Sequence, residues 1–421
     1  MHLERLLSAT LLGVVCGCSA QLSAIPTRSD SLTTPTSWEC SAESQPFEQL
    51  WSTMDSVLLQ QIGDLSILHI GGSHVQAGWI GHEMRRLLAQ WAPKAKISRG
   101  MHLPYRLAHT NTPTHFRTDM EGSWAADRCT RGNGKLPCAT APIATGILAY
   151  PSDAASIQHV SYLPDSSHIS YTTLEIWTNA KRSQWQWTGN APLRSCSPLP
   201  ENHGWILNFE APADTLALSF MVPKTSRSVW YAGMHGSQDS TNARIVWHEW
   251  GHNGLRIRHA AAQDGWENLL QRIEPDLIFV GVGLNDAVDG EHLNMAAFAS
   301  HYETLTGVLV SSGAAVVLLG NTPAMHRNTS LEASSDSIGN WLHQHSKANG
   351  MAYLDLTSAI GGPGIVPTWI ENGRMQSDGM HFTSEGYGVI AGALHSAWMD
   401  AYVKSQKAPS LDNTAAPRLP R

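Results

Sequence analysis

Apolar and polar positions fall into two textures along this chain. Over residues 47–104, and again over 243–404, short apolar runs alternate with segments whose apolar residues recur every three or four positions. Residues 65–70 form an apolar run that stops abruptly at Gly71-Gly72-Ser73. Over 77–96, Trp79, Ile80, Met84, Leu87, Leu88 and Trp91 recur at helical spacing with Arg85, Arg86 and Gln90 between them, the pattern of an amphipathic helix packed on a sheet. Further on, the same reading predicts strands over 244–249, 276–281, 314–319 and 352–356. It predicts helices over 263–273, 294–312, 331–348 and 383–402. Strands alternating with helices imply a parallel sheet covered on both faces, with ligands held at the carboxyl ends of the strands.

The texture between 105 and 242 is different. It contains no convincing long helix, but runs of strand character occur over 157–163, 172–177, 205–209 and 216–222. Turn-forming clusters such as Pro151-Ser152-Asp153 and Thr188-Gly189-Asn190 separate such runs. This predicts a β-sandwich or jelly-roll domain inserted into the α/β domain. Its aromatic residues Trp177, Trp185, Trp187, Trp205, Trp230 and Tyr231 have two readings, a sugar-stacking platform or core. The burial habits of tryptophan in β domains favour core.

The amino terminus adds a compartment. The apolar run 6–15 is too short to span a bilayer and follows Arg5, which makes it a signal peptide. It ends in Val15-Cys16-Gly17-Cys18, which resembles the lipobox of bacterial lipoproteins. The resemblance implies that residues 1–18 are leader and lipobox and that Cys18 is lipidated as the membrane anchor. With no Asp after Cys18, it implies the outer membrane, the domain facing the periplasm or the cell surface. Residues 19–46, rich in Ser, Thr and Pro, are expected to be a flexible tether, with the fold beginning near Phe47 and a disordered tail over 405–421.

Charge excludes one partner class: 28 basic against 35 acidic residues give a net charge of -7, no footprint for nucleic acid. Once Cys16 is removed and Cys18 acylated, Cys40, Cys129, Cys138 and Cys196 remain, an even set suited to an oxidising compartment. Cys129 and Cys138 bracket the turn-rich Arg131-Gly132-Asn133-Gly134, so a Cys129–Cys138 bridge is expected, with Cys40 paired to Cys196. No CxxC spacing suggests zinc.

The polar residues at the expected strand ends read as one site. Ser73 occupies a tight strand-to-helix turn, where a hydroxyl is exposed beside backbone N–H groups. Gly251-His252-Asn253-Gly254 and Gly283-Leu284-Asn285-Asp286 end two other strands, and Ser377-Asp378-Gly379-Met380-His381-Phe382 precedes the last helix. A serine hydroxyl needs a positioned base to take its proton and a third group to fix that base's tautomer, and Asp378 and His381 stand three apart across a turn. These four blocks, in this order, resemble those of the SGNH, or GDSL-type, hydrolase superfamily.

The resemblance implies a flavodoxin-like three-layer αβα sandwich with a parallel sheet, here carrying the inserted β domain. It implies a serine triad of Ser73, His381 and Asp378. The oxyanion hole would be built by the N–H groups of Ser73 and Gly254 and the side chain of Asn285. Gly251 competes with Gly254 for the second block, and the Asn253-Gly254 dipeptide, able to turn with positive φ, favours Gly254. Where the family usually has Asp before the serine, this chain has Gly72, which puts local support of the loop in question. His74 and Gln76 are candidate substrate contacts.

The expected function is hydrolysis of small acyl esters, acetyl foremost, on an envelope or extracellular carbohydrate, with no cofactor. A lipase or O-acyltransferase with the same triad, or a non-catalytic glycan-binding lipoprotein, is the alternative. A rival of another class is His248-Glu249-Trp250-Gly251-His252, which fits the HExxH pattern of zinc peptidases. Arg244-Ile245-Val246-Trp247 favours a strand, and Gly251 and Asn253-Gly254 would break a helix. The expectation is therefore a strand end with partly exposed histidines and no metal.

Overall fold

Seven strands form the sheet that carries the site. They are β1 (Glu39–Cys40), β2 (Asp64–Gly71), β3 (Lys96–Ser98), β4 (Arg244–Gly251), β5 (Leu277–Gly281), β6 (Ala315–Leu319) and β7 (Ala352–Leu354), in the spatial order β1-β7-β6-β5-β2-β4-β3. All pairings are parallel except β1 against β7. This computed structural model describes residues 38–40, 44–131, 138–222 and 227–407. The leader, Cys18, most of the expected tether, residues 408–421 and the Cys40 side chain lie outside the described residues. Among the described residues no helix is long and apolar enough to cross a membrane.

Counting β2, β4, β5, β6 and β7 as first to fifth, the order is 2-1-3-4-5, the flavodoxin-like arrangement, whose switch point lies between β2 and β5. Both faces of the sheet are buried. Leu65 and Ile67 of β2 join one apolar cluster with helices Trp79–Trp91 and Ser384–Ser405, whereas Leu68 and Ile70 join another with helix Met295–Ser311. Strands buried on both faces read as continuous apolar runs, which is why β2, β5 and β6 stood out in the sequence.

The segment between β3 and β4 is β-rich. Its strands are hydrogen-bonded into one nine-stranded sheet in which the long strand Ile147–Ser161 pairs with Phe116–Arg128 along its length and with Leu216–Val222 near its far end. The hydrogen bonds do not separate this sheet into the two facing sheets of a sandwich. Its own core contains Trp185, Tyr231, Phe209 and Leu174, and Trp177 packs into the cluster shared with the α/β sheet. Trp177, Trp185 and Tyr231 are therefore core, while Trp187, Trp205 and Trp230 are half-buried.

Two expectations need correction. Folded structure starts before Phe47: Trp38 is buried, stacked on Trp398 and edge-on to Phe47 and Phe279, so 38–40 and 44–46 are not tether. Helix Gln45–Met54 begins with Pro46 in its first turn, where a missing N–H costs nothing. Second, Cys129, Cys138 and Cys196 are free thiols, so neither the Cys129–Cys138 nor the Cys40–Cys196 bridge is present. Cys129 and Cys138 lie in the core shared by the sheet and the insertion, where burial pushes both thiols up and they pack as small apolar groups.

Candidate active site

β2, β4 and β5 end level with one another, Gly71 pairing with both Gly251 and Gly281. The chain leaves β2 through Gly72 and turns at once into the one-turn helix Ser73–Gln76. Ser73 thus stands at the carboxyl end of the central strand, beside the switch point. Its Oγ lies 3.0 Å from His381 Nε2, and His381 Nδ1 lies 2.7 Å from Asp378 Oδ2. The hydroxyl donates to Nε2 and the Nδ1–H donates to the carboxylate, the tautomer serine catalysis uses.

The Asp378–His381 turn holds itself. Asp378 Oδ1 accepts the N–H groups of Met380 and His381, both at 2.9 Å. Burial alone would raise the Asp378 carboxyl, but hydrogen bonds from His381 and Met380 outweigh it, and the group sits below its ordinary range. It is therefore ionised at neutral pH, as an orienting carboxylate must be.

Among the described residues, three N–H groups expected to form the oxyanion hole keep a hydrogen free. Ser73 begins its helix, and no hydrogen bond is formed by its own N–H among the described residues. His252 to Leu255 form a turn closed by the Leu255 N–H on the His252 carbonyl at 3.0 Å, with Gly254 at φ +74°. A side chain at Gly254 would meet nothing within 4 Å, so the turn selects glycine for backbone conformation. The Gly254 N–H also has no partner among the described residues. Asn285 donates one Nδ2 hydrogen to the Leu255 carbonyl at 3.0 Å, leaving the other available.

Gly251 serves a different need: a Cβ there would lie 2.2 Å from the Gln76 N, so its absence lets the serine helix sit on β4. Gly72 has a negative φ, -84°, with ψ -143°, neither helical nor extended, and a Cβ there would come 3.2 Å from Asn285 Nδ2. The loop keeps Ser73 within reach of His381 without an aspartate at 72. Asp286 supports the same corner, accepting the Ile257 N–H at 3.1 Å, and burial raises its carboxyl to about 6. Asp286 was legible only as part of the block containing Asn285.

Of the two candidate substrate contacts, His74 is half-buried and Gln76 fully buried. His74 lies 3.0 Å from the Met380 carbonyl through Nε2 and sits edge-on to Phe382, Tyr387 and His381. Burial, reinforced by the neighbouring His381, lowers it to about 4, so it is neutral and donates to that carbonyl. It braces the loop of the base. Gln76 is 1% exposed and bonded to Thr110, Asn111 and Asn253, which removes it from the pocket surface.

The HExxH residues lie on β4 and just past its end, not on a helix. An extended chain separates His248 from His252 by about 13 Å, at about 3.3 Å per residue, which no single zinc ion bridges. Glu249 points to the other face, where it pairs with Arg99 at 2.8 Å and Arg85 at 3.4 Å. Both histidines are buried rather than partly exposed, at 1% and 2%, because the insertion covers this end of β4. Among the described residues no group of three or more His, Cys, Asp or Glu could hold a metal ion.

Comparison with known proteins agrees with this geometry. Residues 225–389 match the model of the GDSL-like Lipase/Acylhydrolase family. The chain carries a GDSL-like acylhydrolase domain. The matched stretch contains Gly254, Asn285, Asp378 and His381, while Ser73 stands apart because the insertion separates it from them. The reaction class of this acylhydrolase is that of an ester hydrolase.

A solved peptidoglycan O-acetylesterase is similar at TM-score 0.67 and 18% identity, covering 89% of this chain and 99% of its own. That similarity shows a shared fold over nearly the whole length. A carbohydrate esterase family 3 protein from Talaromyces cellulolyticus is 22% identical over 37% of this chain and 72% of its own, TM-score 0.29. A catalytic mutant of the acetylxylan esterase Axe2 from Geobacillus stearothermophilus is 16% identical over 37% and 72%, TM-score 0.31. No curated protein matches the sequence.

Proposed function

We propose that this acylhydrolase removes acetyl groups from an O-acetylated carbohydrate of the bacterial cell envelope, peptidoglycan foremost. The observation that carries the reading is the assembled line from Asp378 through His381 to Ser73, with contacts of 2.7 and 3.0 Å. Ser73 Oγ bonds to the ester carbonyl carbon as its proton passes to His381 Nε2. The carbonyl oxygen gains charge, which the N–H groups of Ser73 and Gly254 and the Asn285 amide stabilise. His381 returns the proton to the departing sugar alcohol, and water, activated by the same imidazole, releases acetate from Ser73. The likeness to the peptidoglycan O-acetylesterase over nearly the full chain, insertion included, supports the choice of substrate.

The test is acetate release by the full chain from O-acetylated peptidoglycan and from acetylxylan side by side, with 4-nitrophenyl acetate and octanoate as soluble probes. The reading expects release from peptidoglycan, a preference for acetate over octanoate, and loss of turnover in Ser73→Ala. Turnover of octanoate alone, or an active Ser73→Ala, overturns it. We also propose lipidation at Cys18, holding the enzyme at the outer membrane. Cys18→Ala should move the protein from the membrane to the soluble fraction.

A further inference from the structure

Gln76 has three of the four hydrogen-bonding capacities of its amide engaged. Oε1 accepts the Asn253 N–H at 2.6 Å, and Nε2 donates to the Asn111 carbonyl at 2.6 Å and to Thr110 Oγ1 at 2.9 Å. Thr110 Oγ1 also accepts from Asn253 Nδ2 at 3.2 Å. One buried amide therefore ties three segments together: the serine helix, the entrance of the β insertion, and the turn that presents Gly254. Gly251 makes the tie possible, because its missing Cβ lets the helix come down on β4.

The consequence concerns direction. The Gly254 N–H belongs to the peptide that follows Asn253, and a two-residue turn can rotate that peptide at small cost. The Leu255 N–H on His252 closes the turn from one side, and the Gln76 carbonyl on the Asn253 N–H fixes it from the other. We propose that Gln76 is a positioning residue that aims the Gly254 N–H at the developing oxyanion, and that Thr110, from the β insertion, shares the task. The proposal rests on the reading of Ser73 as an ester-hydrolysing nucleophile with Gly254 among the oxyanion donors. A backbone N–H cannot be deleted by mutation, so Gln76 and Thr110 are the handles on it.

The experiment measures kcat and KM of the full chain on 4-nitrophenyl acetate. Gln76→Met should lower kcat by about tenfold to a hundredfold, the scale of a misdirected oxyanion donor, with KM within about twofold of wild type. Thr110→Val should show the same split with a smaller loss, about threefold to tenfold, and Thr110→Ser, which keeps the hydroxyl, should retain wild-type kcat. Equal kcat in Gln76→Met and wild type, a loss that appears in KM instead of kcat, or equal impairment of Thr110→Ser and Thr110→Val would overturn the proposal. If Gln76→Met does not fold, the Thr110 pair decides alone. Wild-type turnover abolished by Ser73→Ala is the control: without it the esterase reading fails, and with it a fully active Gln76→Met refutes only the role of Gln76.

Discussion

Lowering the pH should unfold this protein well above the range in which ordinary carboxylates titrate, because it buries histidines in neutral form. His69, His159 and His252 are each at most 2% exposed, and burial lowers each from 6.5 to about 3. A histidine whose folded pKa lies below its unfolded value stabilises the fold fully above the unfolded pKa and loses that contribution as pH falls toward the folded one. The loss accrues at about 1.4 kcal/mol per pH unit per group, so descent from pH 6.5 to 5 removes about 2 kcal/mol for each and about 6 for the three. Asp286, raised to about 6, works the other way and returns about 1 kcal/mol between pH 6 and 5. His74 and His235, both lowered to about 4 by burial, add to the loss. Even before those two are counted, a deficit of about 5 kcal/mol rivals the whole stability of a typical domain, about 5–15 kcal/mol. Urea unfolding followed by tryptophan fluorescence at pH 7.5, 6.5, 5.5 and 5 should show the midpoint falling steeply below pH 6.5. His69→Phe, which keeps a ring against Trp247 and Phe279, should flatten that slope. A midpoint constant from pH 7.5 to 5, or an unchanged slope in His69→Phe, would refute the reasoning.

Three further outcomes follow from named contacts. Asn285→Ala should reduce kcat on acetyl esters by about a hundredfold to a thousandfold with little change in KM, measured by steady-state hydrolysis of 4-nitrophenyl acetate. Glu249→Gln leaves Arg85 and Arg99 buried without a counter-charge and should destabilise the fold by about 3–5 kcal/mol, read as a lower Tm, whereas an unchanged Tm would show the cluster to be hydrated. Incubation with a chelator should leave esterase activity unchanged, since His248 and His252 are set apart along an extended chain; inhibition reversed by zinc would contradict that geometry.

Much of the α/β scaffold was legible because parallel strands covered on both faces leave continuous apolar runs, and each carries a polar or glycine-rich stop at its carboxyl end. Ser73, Gly254 and Asn285 were candidates for that reason, whereas Asp378 and His381 were candidates from their spacing across a turn before the last helix. What escaped was held by long-range polar contacts and by edges. β1 is two residues long and β3 three, too short for any periodicity, so Trp38 looked like part of a tether. The strand Phe116–Arg128 carries many charged and polar residues and gave no apolar run.

Gln76 is the most instructive miss, since its partners Asn111 and Asn253 stand 35 and 177 positions away and no local pattern links them. A polar residue one turn past a catalytic serine reads naturally as a pocket contact, yet here it is a buried joint. That joint changes how the insertion bears on the chemistry. Trp177, Trp185 and Tyr231, three of the six aromatics that could have formed a sugar platform, are core, the reading their burial habits favoured. Thr110 and Asn111, which carry no motif, stand one hydrogen bond from the residue that contacts the turn of Gly254. The insertion interrupts the chain between the serine and the rest of the machinery, and its entrance strap holds one of the joints, Gln76, that bind the two together.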